Sequence, residues 1–142
     1  MPVKQISVLL DNTPGTLARL SNILDNEDIT YKAVLAASAE QQSTVRLVVN
    51  DPDRAAAVLK SFGFNFEVSP VLAAEVPLHP GGMNAILKHL SKADVNIHYL
   101  YTTINRLGQE TIVILGVDNL DEARKVLQRN WIRLIEDEIY SL

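Results

Sequence analysis

Residues 11–18, Asp-Asn-Thr-Pro-Gly-Thr-Leu-Ala, hold the densest run of recognisable chemistry in this 142-residue chain. They join an apolar, strand-like stretch to an amphipathic helix. Pro14 fixes its own φ and biases Thr13 towards an extended backbone. Gly15 reaches φ values that other residues avoid and lets a second group come close to the backbone. The peptide N–H groups from Gly15 through Ala18 open a helix and lack acceptors within it, so a carboxylate can dock there. Asp11 and Asn12 add acceptors suited to an ammonium group, and Asn12 adds donors. An α-amino acid carries both charges on one carbon, and the junction suits it. The same residues also read as plain turn chemistry: Thr13 as N-cap, Pro14 as first helical residue, Gly15 as incidental.

Other reactive constellations are sparse. The chain has no cysteine, which excludes disulfides, thiolate metal sites and cysteine nucleophiles. His79, His89 and His98 are its three histidines and show no metal-ligand spacing, so neither a metal nor a cofactor is expected. No Gly-x-Ser-x-Gly, Walker loop or dinucleotide fingerprint occurs, and the chain is not expected to be an enzyme. A net charge of −4, with Arg46, Arg54, Arg106, Arg124, Lys125, Arg129 and Arg133 scattered among acids, argues against a nucleic-acid partner. No apolar run approaches the roughly 18 residues needed to cross a bilayer. The opening Met-Pro-Val-Lys-Gln-Ile is not a signal peptide, so a cytoplasmic location is expected.

The elements that must position the loop occur twice. Pro14-Gly15 recurs as Pro80-Gly81 at an offset of 66, and Leu17, Leu20 and Leu24 fall on Met83, Ile86 and Leu90. Asp28-Ile29-Thr30 falls on Asp94-Val95-Asn96. Further on, PDRAAAVLK (52–60) matches LDEARKVLQ (120–128) at an offset of 68, which places two added residues in a polar hairpin between the blocks. In the first half, Lys4–Leu10 alternates as a strand, and Leu17, Leu20 and Leu24 make a helical stripe. Strands 29–37 and 44–49 follow, joined by the turn AEQQS. Asp51 or Asp53 caps a helix with stripe Ala55, Val58, Leu59 and Phe62, Gly63 ends it, and 64–69 alternates as a strand. The second half repeats the series with strands 72–78, 95–104, 111–117 and 131–138, helices 82–92 and 120–129, and the turn NRLGQ.

Strand-helix-strand-strand-helix-strand, twice, is an α+β pattern of two tandem ferredoxin-like βαββαβ units with antiparallel sheets, spanning residues 1–70 and 71–142. RNA-binding domains of this strand order stack bases on aromatics in the first and third strands. Here KQISVLL, TVRLVVN, LAAEVPL and TIVILGV contain none. The strand TIVILGV is apolar on both faces, which signals cover on both sides, by the other half of the chain or by a second chain, and a homodimer is expected.

DNTPGTLARLSNILDNEDITY resembles the signature of ACT domains, small regulatory modules that bind amino acids. HPGGMNAILKHLSKADVNIHYLY resembles a second copy, and the whole chain is similar to stand-alone tandem ACT proteins with no catalytic domain. The resemblance implies an amino acid or similar small effector held between paired domains, by this loop and by a neighbour's second strand. It implies contacts at Asp11, Asn12, Thr13, Gly15, Thr16 and Leu17. In the second copy it implies His79, Gly81, Gly82 and Met83 on the loop, and Asn96, Ile97, His98 and Tyr99 on the strand. That copy departs from the pattern: Leu78 stands where Asn12 would be, and Gly82 replaces Thr16. The expected function is to bind the effector and transmit that state through the oligomer, and a regulated protein partner is a further expectation. The other reading is a non-catalytic protein–protein interaction module with purely structural loops.

Overall fold

In the computed structural model, which describes residues 2–105, 107–108 and 110–142, the elements alternate as two βαββαβ series. The first runs β1 (Val3–Asp11), α1 (Thr16–Asn26), β2 (Tyr31–Ala39), β3 (Gln42–Val49), α2 (Pro52–Ser61) and β4 (Asn65–Glu75). The second continues with α3 (Gly82–Lys92), β5 (Ile97–Thr102), β6 (Ile112–Val117), α4 (Leu120–Arg129), β7 (Leu134–Ile135) and a closing 3₁₀ turn, Asp137–Ser141. β4 belongs to both series. Two strands were expected there, interrupted at Pro70, but one strand runs through it. Pro70 is exposed, and its missing N–H is tolerated where a ladder bond is not required.

The chain divides into two compact units. The N-terminal unit holds Lys4–Pro70 with Tyr140–Leu142, and the C-terminal unit holds Val71–Ile139 with the start of the chain through Val3. In the N-terminal unit β1 lies between β3 and β4, with β2 on the far side of β3. Its β1–β3 and β2–β3 pairs are antiparallel, in registers Ile6↔Leu47 and Val34↔Leu47. In the C-terminal unit β4 lies between β6 and β7, with β5 beyond β6, and every pair is antiparallel. β7 is only two residues long because the backbone turns into the 3₁₀ segment at Asp137, where a longer strand was expected.

Each unit buries the inner face of its helices on one sheet face. Leu20, Leu24, Ala55 and Leu59 pack on Ile6, Val8, Val45 and Leu47 in the first. Ile86, Leu90, Ala123 and Leu127 pack on Leu72, Val113 and Leu115 in the second. Fully burying each such leucine or isoleucine contributes about 1.5–3 kcal/mol. Leu17 and Phe62, expected on the helical stripes, instead stay about half exposed, Leu17 in the first turn of α1 and Phe62 at the C-cap of α2. Strand β6 is buried from Ile112 through Gly116 within a single chain. Its two apolar faces therefore do not by themselves require a second molecule.

The duplication is written in the backbone as well. Eight described residues have positive φ, and they form four matched pairs: Gly15/Gly81, Asp28/Asp94, Glu40/Gly108 and Gly63/Trp131. The first two pairs keep the offset of 66 and the last two that of 68, so the added residues lie in the β5–β6 connection. Arg106 and Gln109 of the predicted NRLGQ turn lie outside the described residues.

Candidate functional site

The β1–α1 loop brings Asp11, Asn12, Thr13, Gly15, Thr16 and Leu17 together, because strand and helix meet there within five residues. α1 starts unusually. Its N-cap is Gly15 at φ 90 and ψ −11, with no side-chain cap. The turn reading had assigned the cap to Thr13 and the first helical position to Pro14, whereas the helix begins at Thr16. A left-handed residue followed by right-handed ones turns successive N–H groups to one side, a concavity suited to anions. Thr16 N–H reaches the Thr13 carbonyl at 3.4 Å, while those of Leu17 and Ala18 have no acceptor among the described residues. The exposed Asp11 carboxylate likewise has no partner among them, so acceptor and donors free for a zwitterion stand on one loop.

Two predicted contacts are largely used up inside the loop. The Asn12 side-chain amide donates to the Glu40 carbonyl at 3.0 Å and accepts from Ser38 Oγ at 3.4 Å. Its backbone N–H donates to Gln41 O at 2.8 Å. Asn12 thus pins the loop to the β2–β3 hairpin and retains one amide proton for a ligand. Thr16 Oγ1 lies 2.9 Å from the Asp11 carbonyl and 3.0 Å from that of Thr13, and its one proton is shared between them. The hairpin's part in positioning the loop was missed from sequence. The polar AEQQS stretch marks a turn but not what it touches.

The second loop keeps the backbone and changes the lining. Gly81 is the N-cap of α3 at φ 88 and ψ 1, again without a side-chain cap, and Gly82 N–H donates to His79 O at 3.0 Å. The exposed His79 ring turns onto its own chain, Nδ1 donating to the Pro80 carbonyl at 3.0 Å. Gly82 is buried, and a Cβ there would sit 2.1 Å from the Pro77 carbonyl oxygen. Backbone packing requires that glycine. Met83 and Asn84 keep N–H groups without acceptors among the described residues.

Asn96, Ile97, His98 and Tyr99 are not beside this loop within their unit. They start β5 at the other end of α3, whose 11 residues span about 16 Å. Asn96 N–H donates to Asp118 Oδ1 at 3.0 Å, as Thr30 N–H does to Asn50 Oδ1 at 2.9 Å in the first unit. The register slips between Ile97 and Tyr99. The Tyr99 ring lies over Gly116, whose added Cβ would fall 2.2 Å from the ring, and 6.3 Å from the Tyr101 ring.

Helices α2 and α4 start conventionally. Asp51 accepts from Arg54 N–H at 3.1 Å, and Asn119 from Glu122 N–H at 3.2 Å. The open starts are therefore confined to the first helix of each unit.

Comparison with known proteins places this arrangement. Over its full length the chain superposes on a protein of Bacteroides thetaiotaomicron, BT0572, with a TM-score of 0.91, 29% identity and 98% of that chain covered. The regulatory subunits of aspartate kinase from Thermus thermophilus (ligand-free form) and Thermus flavus share the fold at TM-scores of 0.59 and 0.56, each 13% identical. These cover 92% and 91% of this chain and 93% and 92% of theirs. No curated protein matches the sequence. Residues 1–141 match the family described as an ACT domain pair, so the twice-written strand–glycine–helix turn has a family behind it: the chain belongs to the ACT domain pairs.

Proposed function

We propose that this ACT domain pair is a non-catalytic regulatory protein of the cytoplasm that binds an amino acid at its first loop and passes that state to a protein partner. One observation carries the reading. α1 opens on a left-handed glycine with two N–H groups and an Asp11 carboxylate that have no partner among the described residues, whereas α2 and α4 are closed by their own caps. The ligand's carboxylate takes the N–H groups of Leu17 and Ala18, and its ammonium group takes Asp11 and the Asn12 Oδ1. Thr13 and Gly15 shape the loop around it, and Leu17 offers an exposed apolar wall. His79, Gly81, Gly82 and Met83 form a lesser site without the amide and hydroxyl. Asn96, Ile97, His98 and Tyr99 contribute where a second molecule's loop meets them. The likeness in fold to aspartate kinase regulatory subunits supports a partner enzyme of amino-acid metabolism.

A second reading, an interaction module with structural loops, draws support from the Asn12 amide and Thr16 hydroxyl being engaged within the loop. A thermal-shift panel of the common amino acids separates the two. A ligand at 100 times its Kd stabilises by about 2.7 kcal/mol, which raises Tm by roughly 5–10 °C in a chain of this size. Gly15→Asp should abolish the shift by placing a charge where the carboxylate docks. Gly15→Asn, equally able to adopt positive φ, should retain most of it. A Cβ at Gly15 meets nothing within 4 Å, so neither variant clashes. Absence of any shift across the panel favours the interaction module.

A further inference from the structure

The two units differ most at one end of their sheets. In the C-terminal unit that end is where four segments converge: Val76 N–H bonds Thr111 O, Thr103 N–H bonds Ile112 O, and Glu75 N–H bonds Arg133 O. Beyond these bonds several large apolar residues are bare. Leu78 is 79% exposed, Ile104 60% and Trp131 94%, and Leu107 of the same connection is fully exposed. The N-terminal unit has Asn12, Ala39 and Gly63 at the positions matching Leu78, Leu107 and Trp131. Trp131 also holds φ 63, a conformation its counterpart Gly63 adopts without strain and a bulky residue rarely does. Strain of this kind persists where surroundings or function hold it.

We propose that this end of the C-terminal unit is a self-association surface, pairing with the same surface of a second copy of the chain. Area argues for it. The four side chains expose on the order of 600–700 Å², above what monomers commonly leave bare and close to the roughly 800 Å² each partner contributes to a stable interface. Charge selects the partner. A two-fold interface sets a patch against itself, so it needs an apolar centre and a rim of both signs. Among the described residues the rim carries both signs, Arg133 lying 3.1 Å from Glu75 and 4.0 Å from Glu110, so the guanidinium of one copy can face the carboxylates of the other. The surface is separate from the first loop and lies at the opposite end of α3 from residues 96–99, so it stands whether or not those residues meet an amino acid in another contact.

Trp131 is the chain's one tryptophan, so its fluorescence reports on this surface without any substitution. Sedimentation should show a dimer at micromolar concentration, and dilution should dissociate it with a red shift of the indole emission. Trp131→Gly and Leu78→Asn install the residues the first unit carries at these positions. Together they should raise the dimer Kd at least tenfold while melting cooperatively. A monomer up to about 100 μM with a solvent-exposed emission spectrum overturns the proposal, as does capture of some other protein by such a monomer. A dimer whose dissociation leaves the emission unchanged places the interface elsewhere and overturns it too.

Discussion

The two strand–helix loops reach one backbone turn by opposite means. In the first, the Thr16 hydroxyl spans the gap to the Asp11 carbonyl, and a side chain fills the space between strand end and helix. In the second, the matching carbonyl, that of Pro77, has closed onto Gly82 until not even a methyl group fits. Gly15 and Gly81 hold the same left-handed conformation in both. A conserved turn geometry within one chain therefore does not mean a conserved binding surface. The first loop keeps polar groups at its mouth, and the second trades them for backbone contact.

Copying the first loop into the second should break the comparison hardest. Gly82→Thr places a side chain on the Pro77 carbonyl and should cost about 3 kcal/mol or more, read from urea midpoints. Thr16→Gly, the reverse exchange, should lose only about 1 kcal/mol, the worth of one hydrogen bond. Near-equal losses would mean that the second loop opens without cost.

A second exchange sits within each sheet. Ala33 pairs with Val48 in the first unit, and at the matching position Tyr99 pairs with Gly116. Small against large has become large against small. Gly116→Val alone should destabilise by about 1–3 kcal/mol, and adding Tyr99→Ala should recover part of that loss, because neighbouring sites couple. Simple additivity in the double-mutant cycle would show that the ring finds another place.

Helix starts offer a smaller test. Asp51→Ala removes a cap and should cost about 1 kcal/mol. Thr13→Ala should stay within about 0.5 kcal/mol, since α1 uses no side-chain cap. The smallest effect is a pH dependence peculiar to the second unit. Hydrogen bonding with Glu75, then its charge, then slight desolvation hold the Glu110 carboxyl above its ordinary value of 4.5, against the opposing pull of Arg133. The matching residues of the first unit, Gln42, Leu9 and Asn65, cannot do this. A raised folded pKa means that folding favours the protonated form. Its contribution is complete below the unfolded value and is lost as pH rises through the folded one. Glu110→Gln should flatten stability just above pH 4.5, as measured by denaturant melts across that range.

What the sequence determined by itself is what local chemistry can encode. Alternation at Lys4–Leu10, the Leu20/Leu24 stripe and the repeated Pro-Gly gave element types, their order and the doubling, because period and φ preference act within a few residues. The sequence left two readings of the α1 start, one with Thr13 as N-cap, since turn residues can satisfy several local geometries and only the packed loop selects among them. Tertiary structure decided the rest. The unbroken β4 through Pro70 depends on neighbours at its sides, and β6 is buried within one chain, where the sequence left cover by the other half or by a second copy open. The Asn12 amide is spent on a carbonyl 28 residues away, and Gly82 is small because Pro77 lies against it. Each of these is set by segments far apart in sequence. The side chain's type fixes only what it can bond or exclude, and the fold chooses its partner.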